Sequence, residues 1–547
     1  MPEVQEKETK KRSDGSASQN KDSLQAEKKE WTELEVVGSV RNVSPKLWTF
    51  THLVALYLNN NMLTKIPPEI SMLSRLQKLD LSKNKIRTLP VEVGDMIELR
   101  ELNLRGNLLR ILPNEVGRLF QLKALGLQGN PLPAEFLSMV EEVNGVEKLL
   151  TWLLDNVTVC PRPPDRPWVQ LVPEISKDGY NFTVMSYNIL FEKYCTSQLY
   201  GYCPSWALSW DYRKAEILKE IIQYHAEIVS LQEIGTDAFN TLFKPELKKH
   251  GYDGIFSPKS RAKTMPEEDR GWVDGCAIFW HTSKFQLLKE HLVEFNQLAA
   301  AHAEGSEDML NRVMLRDNIG IMALLETIEP GAKQKLIVTN AHIHWDPEFK
   351  DVKLIQVVML IRELTRFMQD ISPSYNESST GKNGLTSQPH IPSLICADLN
   401  SLPGSGVMEF LNNSRISIDH PDFQHMSYGG FLSKYAGCDN GMKNNELSHL
   451  YNLKRAYAGE EMNFTNFTYH FTGRLDYIFY TSDYLLQLGE LGTIPEEYFK
   501  KNKIIGFPHP HFPSDHLPLL VEFEFLNTPQ ATRNGPSTSS SQIMFPR

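Results

Sequence analysis

Polar side chains recur at the ends of apolar runs through the C-terminal part of this 547-residue chain. They are Asn188 in SYNIL, Glu233 in LQE, Asp274 in VDG and His342 in NAHIHWDP, then Asp398 and Asn400 in ADLNS, Asp476 in LDYIFY, and Asp515 with His516 in PSDHLPL. One Asp or Asn at a strand end is ordinary turn chemistry. The same placement in seven separate segments is not explained by turns. The inventory is chemically coherent. Glu, Asp and Asn oxygens are hard donors that suit Mg²⁺ rather than zinc. Two histidines can hydrogen-bond a phosphate or stabilise developing charge. Asp398 can orient a water, and alternation along a strand points Asp398 and Asn400 the same way. The set fits metal-assisted hydrolysis of a phosphodiester.

Such residues need a rigid frame. FTVMSYNIL, AEIVSLQEI, GCAIFW, KLIVTNAHIHW, SLICADLN, LDYIFYT and LPLLVEFEF read as strands, while DYRKAEILKEIIQYH and DVKLIQVVMLIRELTRFMQDI have helical spacing. Strands mixed with helices predict a layered α/β domain over residues 180–526. Ahead of it lies a repeat. LVALYLNNNMLTKIP, LQKLDLSKNKIRTLP, LRELNLRGNLLRILP and LKALGLQGNPLPAEF start at Leu53, Leu76, Leu99 and Leu122, a period of 23, and carry Asn61, Asn84, Asn107 and Asn130 at one offset. This is the leucine-rich-repeat pattern, with a short strand and a return turn per unit. The Leu ladder supplies a core that one repeat cannot bury alone, and the Asn ladder can satisfy turn backbone groups. With caps, the solenoid is expected over 31–158, presenting Tyr57, Asp80, Asn103 and Arg105 on its strand face to a protein partner.

Residues 159–179, opening on the Pro-rich CPRPPDRPWVQ, read as a stiff extended linker. Residues 1–30, the loop Ser372–His390 and the tail 527–547 read as disordered or low-complexity. No apolar run is long enough to span a bilayer, and the N-terminus lacks the apolar core of a secretory signal. Six cysteines without a CxxC argue against a disulfide framework or zinc site, so the cytoplasm or nucleus is expected, with no membrane. A net charge of −10 excludes a broad basic nucleic-acid footprint, but not a small site that holds phosphate through metal ions.

SYNIL, LQE, ADLNS, LDYIFY and SDH, in this order, resemble the endonuclease/exonuclease/phosphatase superfamily. That resemblance implies a four-layer α/β/β/α sandwich. Together with the repeats, the segments YGYCPSWALSWDYRKAEI, FSPKSRAKTM, DGCAIFW, EFNQLA, MLNRVM and AHIHWDPEFKDVKLIQ resemble the leucine-rich-repeat deadenylases that serve as nuclease subunits of the Ccr-Not complex. The resemblance implies a Mg²⁺-dependent, poly(A)-specific 3′-exoribonuclease with two ions. On matching positions it implies that Glu233, supported by Asn188, holds the first Mg²⁺. It places Asp398 on the attacking water and Asn400 on substrate. Asp476 and His516 fall at the second metal and scissile phosphate, with Asp515 supporting and His342 touching phosphate. Pro347, Asn466 and Phe471 fall on adenine-contacting positions; a buried core is the competing expectation for Phe471. Asp269 in PEEDR stands where relatives have a substrate-contacting Glu, one methylene longer. The repeats of such proteins dock a second deadenylase of the DEDD class, which bridges to the complex scaffold. The alternatives are a phosphoesterase acting on another nucleotide or phosphate ester, and a repeat-based adaptor with an inactive nuclease fold.

Overall fold

The computed structural model describes residues 4–5, 31–173, 179–303, 305–328, 333–371, 391–424, 426, 428, 430–432, 445–459 and 462–526. The segments 6–30, 372–390 and 527–547, expected to be disordered or low-complexity, lie outside them. The chain forms two compact units. No helix among the described residues is long and apolar enough to cross a membrane.

The first unit comprises residues 1–162 with 195–212 and 497–511. Its parallel ladder runs through Glu33–Val36, Ala55–Tyr57, Lys78–Asp80, Glu101–Asn103 and Ala124–Gly126, and Val4–Gln5 adds an antiparallel edge. Short 3₁₀ turns at Pro68–Met72, Val91–Asp95 and Asn114–Arg118 return the chain. Each leucine of the first repeat position, from Leu53 to Leu122, is buried. The asparagine ladder does the predicted work. Asn84 Nδ2 donates to Leu58 O (2.9 Å) and Leu81 O (3.0 Å), and its Oδ1 accepts from Leu63 N (3.0 Å). Asn107 repeats the pattern on Leu81 O, Leu104 O and Ile86 N, and Asn61 extends it into the N-terminal capping repeat at Val36 O. Helices Ala134–Glu141 and Gly145–Asp155 close the other end with Leu149, Leu150, Leu153 and Leu154. Gly117 lies so close beneath the second helix that a Cβ there would sit 2.3 Å from Leu154 N. On the strand face Tyr57, Asp80 and Asn103 are half-buried and Arg105 is exposed; Asn103 donates to Asp80 (3.0 Å) and Arg105 to Gln128 (2.8 Å).

The second unit takes residues 163–194, 213–496 and 512–547. A seven-stranded sheet orders Tyr252–Pro258, Asp274–His281, Ile228–Gly235, Asn181–Asn188, Leu519–Phe525, Leu485–Leu491 and Trp168–Gln170. A six-stranded sheet orders Phe285–Glu294, Ile319–Thr327, Lys335–His342, Ser393–Asp398, Asp476–Thr481 and Leu453–Arg455. Alternation sorts the strand residues. Phe182, Val184, Ile228 and Ile278 of one sheet meet Ile321, Val338, Leu394 and Ile478 of the other in a shared core. The opposite face of the second sheet, with Ile337, Ala341, Ile395 and Phe479, packs under helices Lys350–Ile371 and Gly406–Asn413. Met185, Tyr187, Val229 and Leu231 point away from the shared core and are buried, with the Tyr187 hydroxyl bonded to Glu220 of helix Trp210–Tyr224. The result is the α/β/β/α sandwich. Part of the segment expected to be a linker joins it: Trp168–Gln170 is an edge strand, and Arg166 donates to Gly492 O (2.6 Å) and Pro518 O (2.7 Å).

One polar network crosses the apolar interior. Asn340, fully buried, donates to Leu231 O (2.9 Å) and Ala277 O (2.7 Å) and accepts from Gln232 Nε2 (2.8 Å). Its members lie within three residues of Glu233, Asp274 or His342 along their strands, so the network ties the two sheets together close to the site. A buried amide that satisfies others at this depth is costly to remove.

Candidate metal and phosphate site

Three neighbouring strands of the second sheet bring His342, Asp398 and Asp476 onto one rung, for His342 pairs with Asp398 and Asp398 with Asp476. Asn188 faces them from the first sheet. Its Nδ2 donates to Asp398 Oδ2 (2.9 Å) and Glu233 Oε1 (3.2 Å), while Oδ1 accepts from Leu190 N (3.0 Å). His516 completes the set: Nδ1 lies 2.7 Å from Asp476 Oδ2, and Nε2 lies 3.9 Å from Asp398 Oδ2. Ser514 positions that segment by donating to Asn188 O (2.6 Å) and accepting from His516 N (3.2 Å). Asn466 donates to Asp515 Oδ2 (3.2 Å) and bridges backbone to backbone with His516.

Two of these residues adopt left-handed backbone. Glu233 has φ 58° and falls where the ladder between Asp274–His281 and Ile228–Gly235 slips, Gly275 pairing with Ile234 and Cys276 with Gln232. Glu233 is therefore the extra residue of a β-bulge, which re-aims its side chain. Asn400 has φ 47° and follows the end of strand Ser393–Asp398. The pleat does not reach it, so strand alternation is not what orients it. Asn400 N donates to Asp398 Oδ1 (3.0 Å) in an Asx turn, and Nδ2 to Ile343 O (3.0 Å). Turn chemistry and site chemistry thus use the same aspartate.

The electrostatics separate the titratable groups. Burial, then the neighbouring Asp476, push the Asp398 carboxyl up to about 7. Burial also raises Glu233. Burial opposes charge on His516, yet Asp476 and Asp515 hold its imidazole well above the ordinary range. Burial, reinforced by Lys259, drives His342 well below it. One histidine is cationic near neutrality and the other neutral, a division that suits two roles.

A hard cation fits here. Ligand atoms of Asp398, Asp476 and His516 all lie within 4.8 Å of one another, and Asp476 Oδ1 is buried with no hydrogen-bond partner. Two adjacent buried carboxyls and an unused carboxylate oxygen are what a divalent ion satisfies.

Sequence reasoning left several supports without a role. Asp274, fully buried, is gripped by Lys259 (2.7 Å) and Arg261 (2.7 Å), with the Tyr194 hydroxyl 3.1 Å away. Burial works against that carboxylate, but Lys259 and Arg261 hold it below its ordinary range. Its lysine stands in FSPKSRAKTM, the only signal, and nothing local says it folds inward. Lys353, 6% exposed, donates to Asn400 O (2.7 Å) and Trp345 O (3.2 Å) from helix Lys350–Ile371. It looks in sequence like any helix lysine.

Pro347, Asp269 and Phe471 stand apart from the rung. Pro347 and Asp269 are exposed, on the loop after His342 and in the short helix Glu267–Arg270. Phe471 is 37% exposed, which removes the buried-core alternative. Its turn is closed by Thr468 N to Phe471 O (2.7 Å) and Phe471 N to Thr468 Oγ1 (3.1 Å).

Residues 185–516 match the Endonuclease/Exonuclease/phosphatase family and residues 51–109 the leucine-rich repeat. The chain is 53% identical over 516 residues to CCR4-NOT transcription complex subunit 6-like of Danio rerio, covering 91% of this chain and 90% of that protein. It is 43% identical over 540 residues to the CCR4-Not complex 3′-5′-exoribonuclease subunit Ccr4 of Schizosaccharomyces pombe, covering 92% and 76%. Among solved structures, ANGEL2, a 2′,3′-cyclic phosphatase bound to adenosine-2′,3′-vanadate, aligns at TM-score 0.51 and 26% identity over 66% of this chain and 99% of its own.

Proposed function

The chain belongs to the endonuclease/exonuclease/phosphatase family, in its leucine-rich-repeat Ccr4 group, and on that premise we propose that it is a Mg²⁺-dependent poly(A) 3′-exoribonuclease releasing 5′-AMP. The observation that carries this reading is the single rung of His342, Asp398 and Asp476, closed by His516 and faced by Asn188 and Glu233. A phosphodiester needs a positioned water, charge neutralisation and a fixed phosphate.

Asp398, with its raised affinity for a proton near pH 7, accepts the proton of the attacking water as its oxygen joins phosphorus; the P–O3′ bond to the preceding nucleotide breaks, and that O3′ takes a proton from solvent to leave the shortened RNA with a free 3′-hydroxyl. His516, kept cationic by Asp476, points Nε2 toward the Asp398 side of the pocket, where it stabilises the phosphate oxygens. Neutral His342 adds a hydrogen bond to phosphate from Nε2, 3.6 Å from Asp398. Asn400, anchored by its own Asx turn, presents its side to the substrate. Glu233 with Asn188, and Asp398 with Asp476 and Asp515, would hold two Mg²⁺ ions, which when bound neutralise charge developing on the phosphate. Asn466 and Phe471 read the terminal adenine with Pro347, and Asp269 is a further substrate contact. Full-length chain is incubated with 5′-labelled RNA ending in oligo(A). A ladder shortening by single nucleotides, with 5′-AMP as product and arrest by EDTA, is expected. Shortening that persists in EDTA, or a product other than 5′-AMP, overturns the reading.

The relatives are subunits of the Ccr4-Not complex, and leucine-rich repeats suit protein interaction. The strand face of this solenoid docks a second, DEDD-class deadenylase that connects it to the scaffold. Support comes from its mixed, half-buried surface around Tyr57, Asp80 and Asn103. Tyr57→Asp combined with Arg105→Glu should abolish pull-down of that enzyme while cleavage of short oligoadenylate continues. Retained pull-down moves the interface elsewhere.

A further inference from the structure

The rim of the nuclease unit that carries the site also carries exposed aromatic rings, of which only Phe471 has a use so far. Among its described residues, Trp168, Tyr194, Trp272, Trp345 and Phe471 are the exposed aromatics. Four of the five stand on loops at one end of the sandwich. Tyr194 follows strand Asn181–Asn188, Trp272 precedes Asp274–His281, Trp345 follows Lys335–His342 and Phe471 precedes Asp476–Thr481. Trp168 alone lies on the far edge strand.

Trp345 is 69% exposed, the most of the set. A large apolar ring left in water is unfavourable, and a mobile loop would let it fold down. This loop is pinned from beneath. His344 N donates to Gln356 Oε1 (3.0 Å), and the buried Lys353 ammonium holds Trp345 O (3.2 Å) together with Asn400 O (2.7 Å). One cation therefore ties the backbone that carries the indole to the backbone of the substrate-side asparagine. A ring on a braced backbone loses less entropy when a flat ligand stacks on it than a ring on a loose loop. Trp272, 47% exposed, has Lys193 Nζ 5.1 Å over its ring, so that a cation covers one face and a base would stack on the other. The rings are interrupted by polar neighbours, Asp346 beside Trp345 and Asp269 near Trp272. Separate faces with charge between them match bases spaced along a strand better than one continuous protein surface.

We propose that Trp345 and Trp272 are stacking platforms for nucleotides upstream of the one being removed, so that the rim grips several nucleotides of single-stranded RNA. This rests on the exoribonuclease reading, and its test separates the two. Full-length wild type, Trp345→Ala, Trp345→Phe and Trp272→Ala are compared on diadenylate and octaadenylate RNA, with a thermal melt for each. Stacking of one base is worth roughly 5- to 150-fold in binding. The advantage of octaadenylate over diadenylate in kcat/KM should fall by roughly that factor in each alanine variant, through KM, and Trp345→Phe should restore most of it. Equal losses on both lengths, or a length ratio within about twofold of wild type in both alanine variants, overturns the track. Wild type that cleaves neither substrate overturns the exoribonuclease reading itself.

Discussion

Asn84 and Asn188 are both buried, and both use their amides in full, to different ends. Asn84 spends its bonds on the backbone of its own and neighbouring repeats, and Asn107 and Asn130 do the same one and two repeats on. Asn188 donates to two carboxylates from different strands, one of them on the opposite sheet. The solenoid solves one local problem and copies the answer every 23 residues. The site solves its problem once, with parts that are far apart in the chain. Removing a copied part should weaken the structure and spare the chemistry; removing a singular part should do the reverse.

The largest effect is expected at the site. Glu233→Ala and Asp398→Ala should each lower kcat by about 10²- to 10⁴-fold on oligoadenylate, with the double variant no worse than the poorer single one. Both carboxyls are raised by burial, so both cost folding energy when charged. Removing either should leave the melting temperature level or higher at pH 8. A lower melting temperature with activity intact would reverse the contrast. Next comes Asn84→Ala, which strands Leu63 N in the core and takes one of two asparagine donors from Leu58 O and Leu81 O, each still held by the asparagine of a neighbouring repeat. At about 1–3 kcal/mol per buried orphan, the loss should be about 1–3 kcal/mol in urea unfolding, and similar for Asn107→Ala. Cleavage of short oligoadenylate should continue. Less than about 1 kcal/mol would mean the ladder is ornamental.

A pH dependence sharpens the same division. Burial lowers Lys353 to about 8. Below pH 8 it is charged in both states and the cost of burying that charge is fully present. Between pH 8 and the ordinary lysine range the folded state sheds its proton first, so stability should rise with pH. The gain is at most about 3 kcal/mol. Lys353→Met should remove it, measured as the difference between wild-type and variant unfolding at pH 7.5 and pH 10. An unchanged difference would show that the brace carries no charge cost. The smallest effect belongs to Phe471→Ala. Its exposed ring predicts a change in stability under about 1 kcal/mol, with oligo(A) turnover down about 5- to 150-fold and a reduced A-over-U ratio. A large drop in melting temperature with the ratio intact would return the ring to the core.

The solenoid's repeats were legible because their information is translational: Leu53, Leu76, Leu99 and Leu122 announce each other, whereas the edge pair Val4–Gln5 fell in a stretch read as disordered. The layered nuclease fold was legible from the alternation and spacing of its strands and helices. The site residues were legible as types at strand ends. What joins them was not. The Gln232–Asn340 tie couples positions over a hundred residues apart, with no local pattern to mark it. Lys259 and Lys353 look like surface lysines, since charge says nothing about which way a side chain folds. The bulge at Glu233 leaves no trace in LQEIG, because LQE continues an apolar strand without a turn residue. Likewise, Trp168–Gln170 reads as linker because its hydrogen-bonding partner, Leu485–Leu491, lies more than three hundred residues on.

The left-handed backbone at Glu233 carries a consequence for how such an enzyme evolves. An L side chain other than Asn or Asp costs roughly 1–2 kcal/mol in that conformation, and glycine costs less. A library of variants screened for heat resistance alone would therefore enrich Glu233→Gly, and would gather tougher proteins that had shed a candidate metal ligand. Only a screen that also demands turnover keeps the strained residue in place.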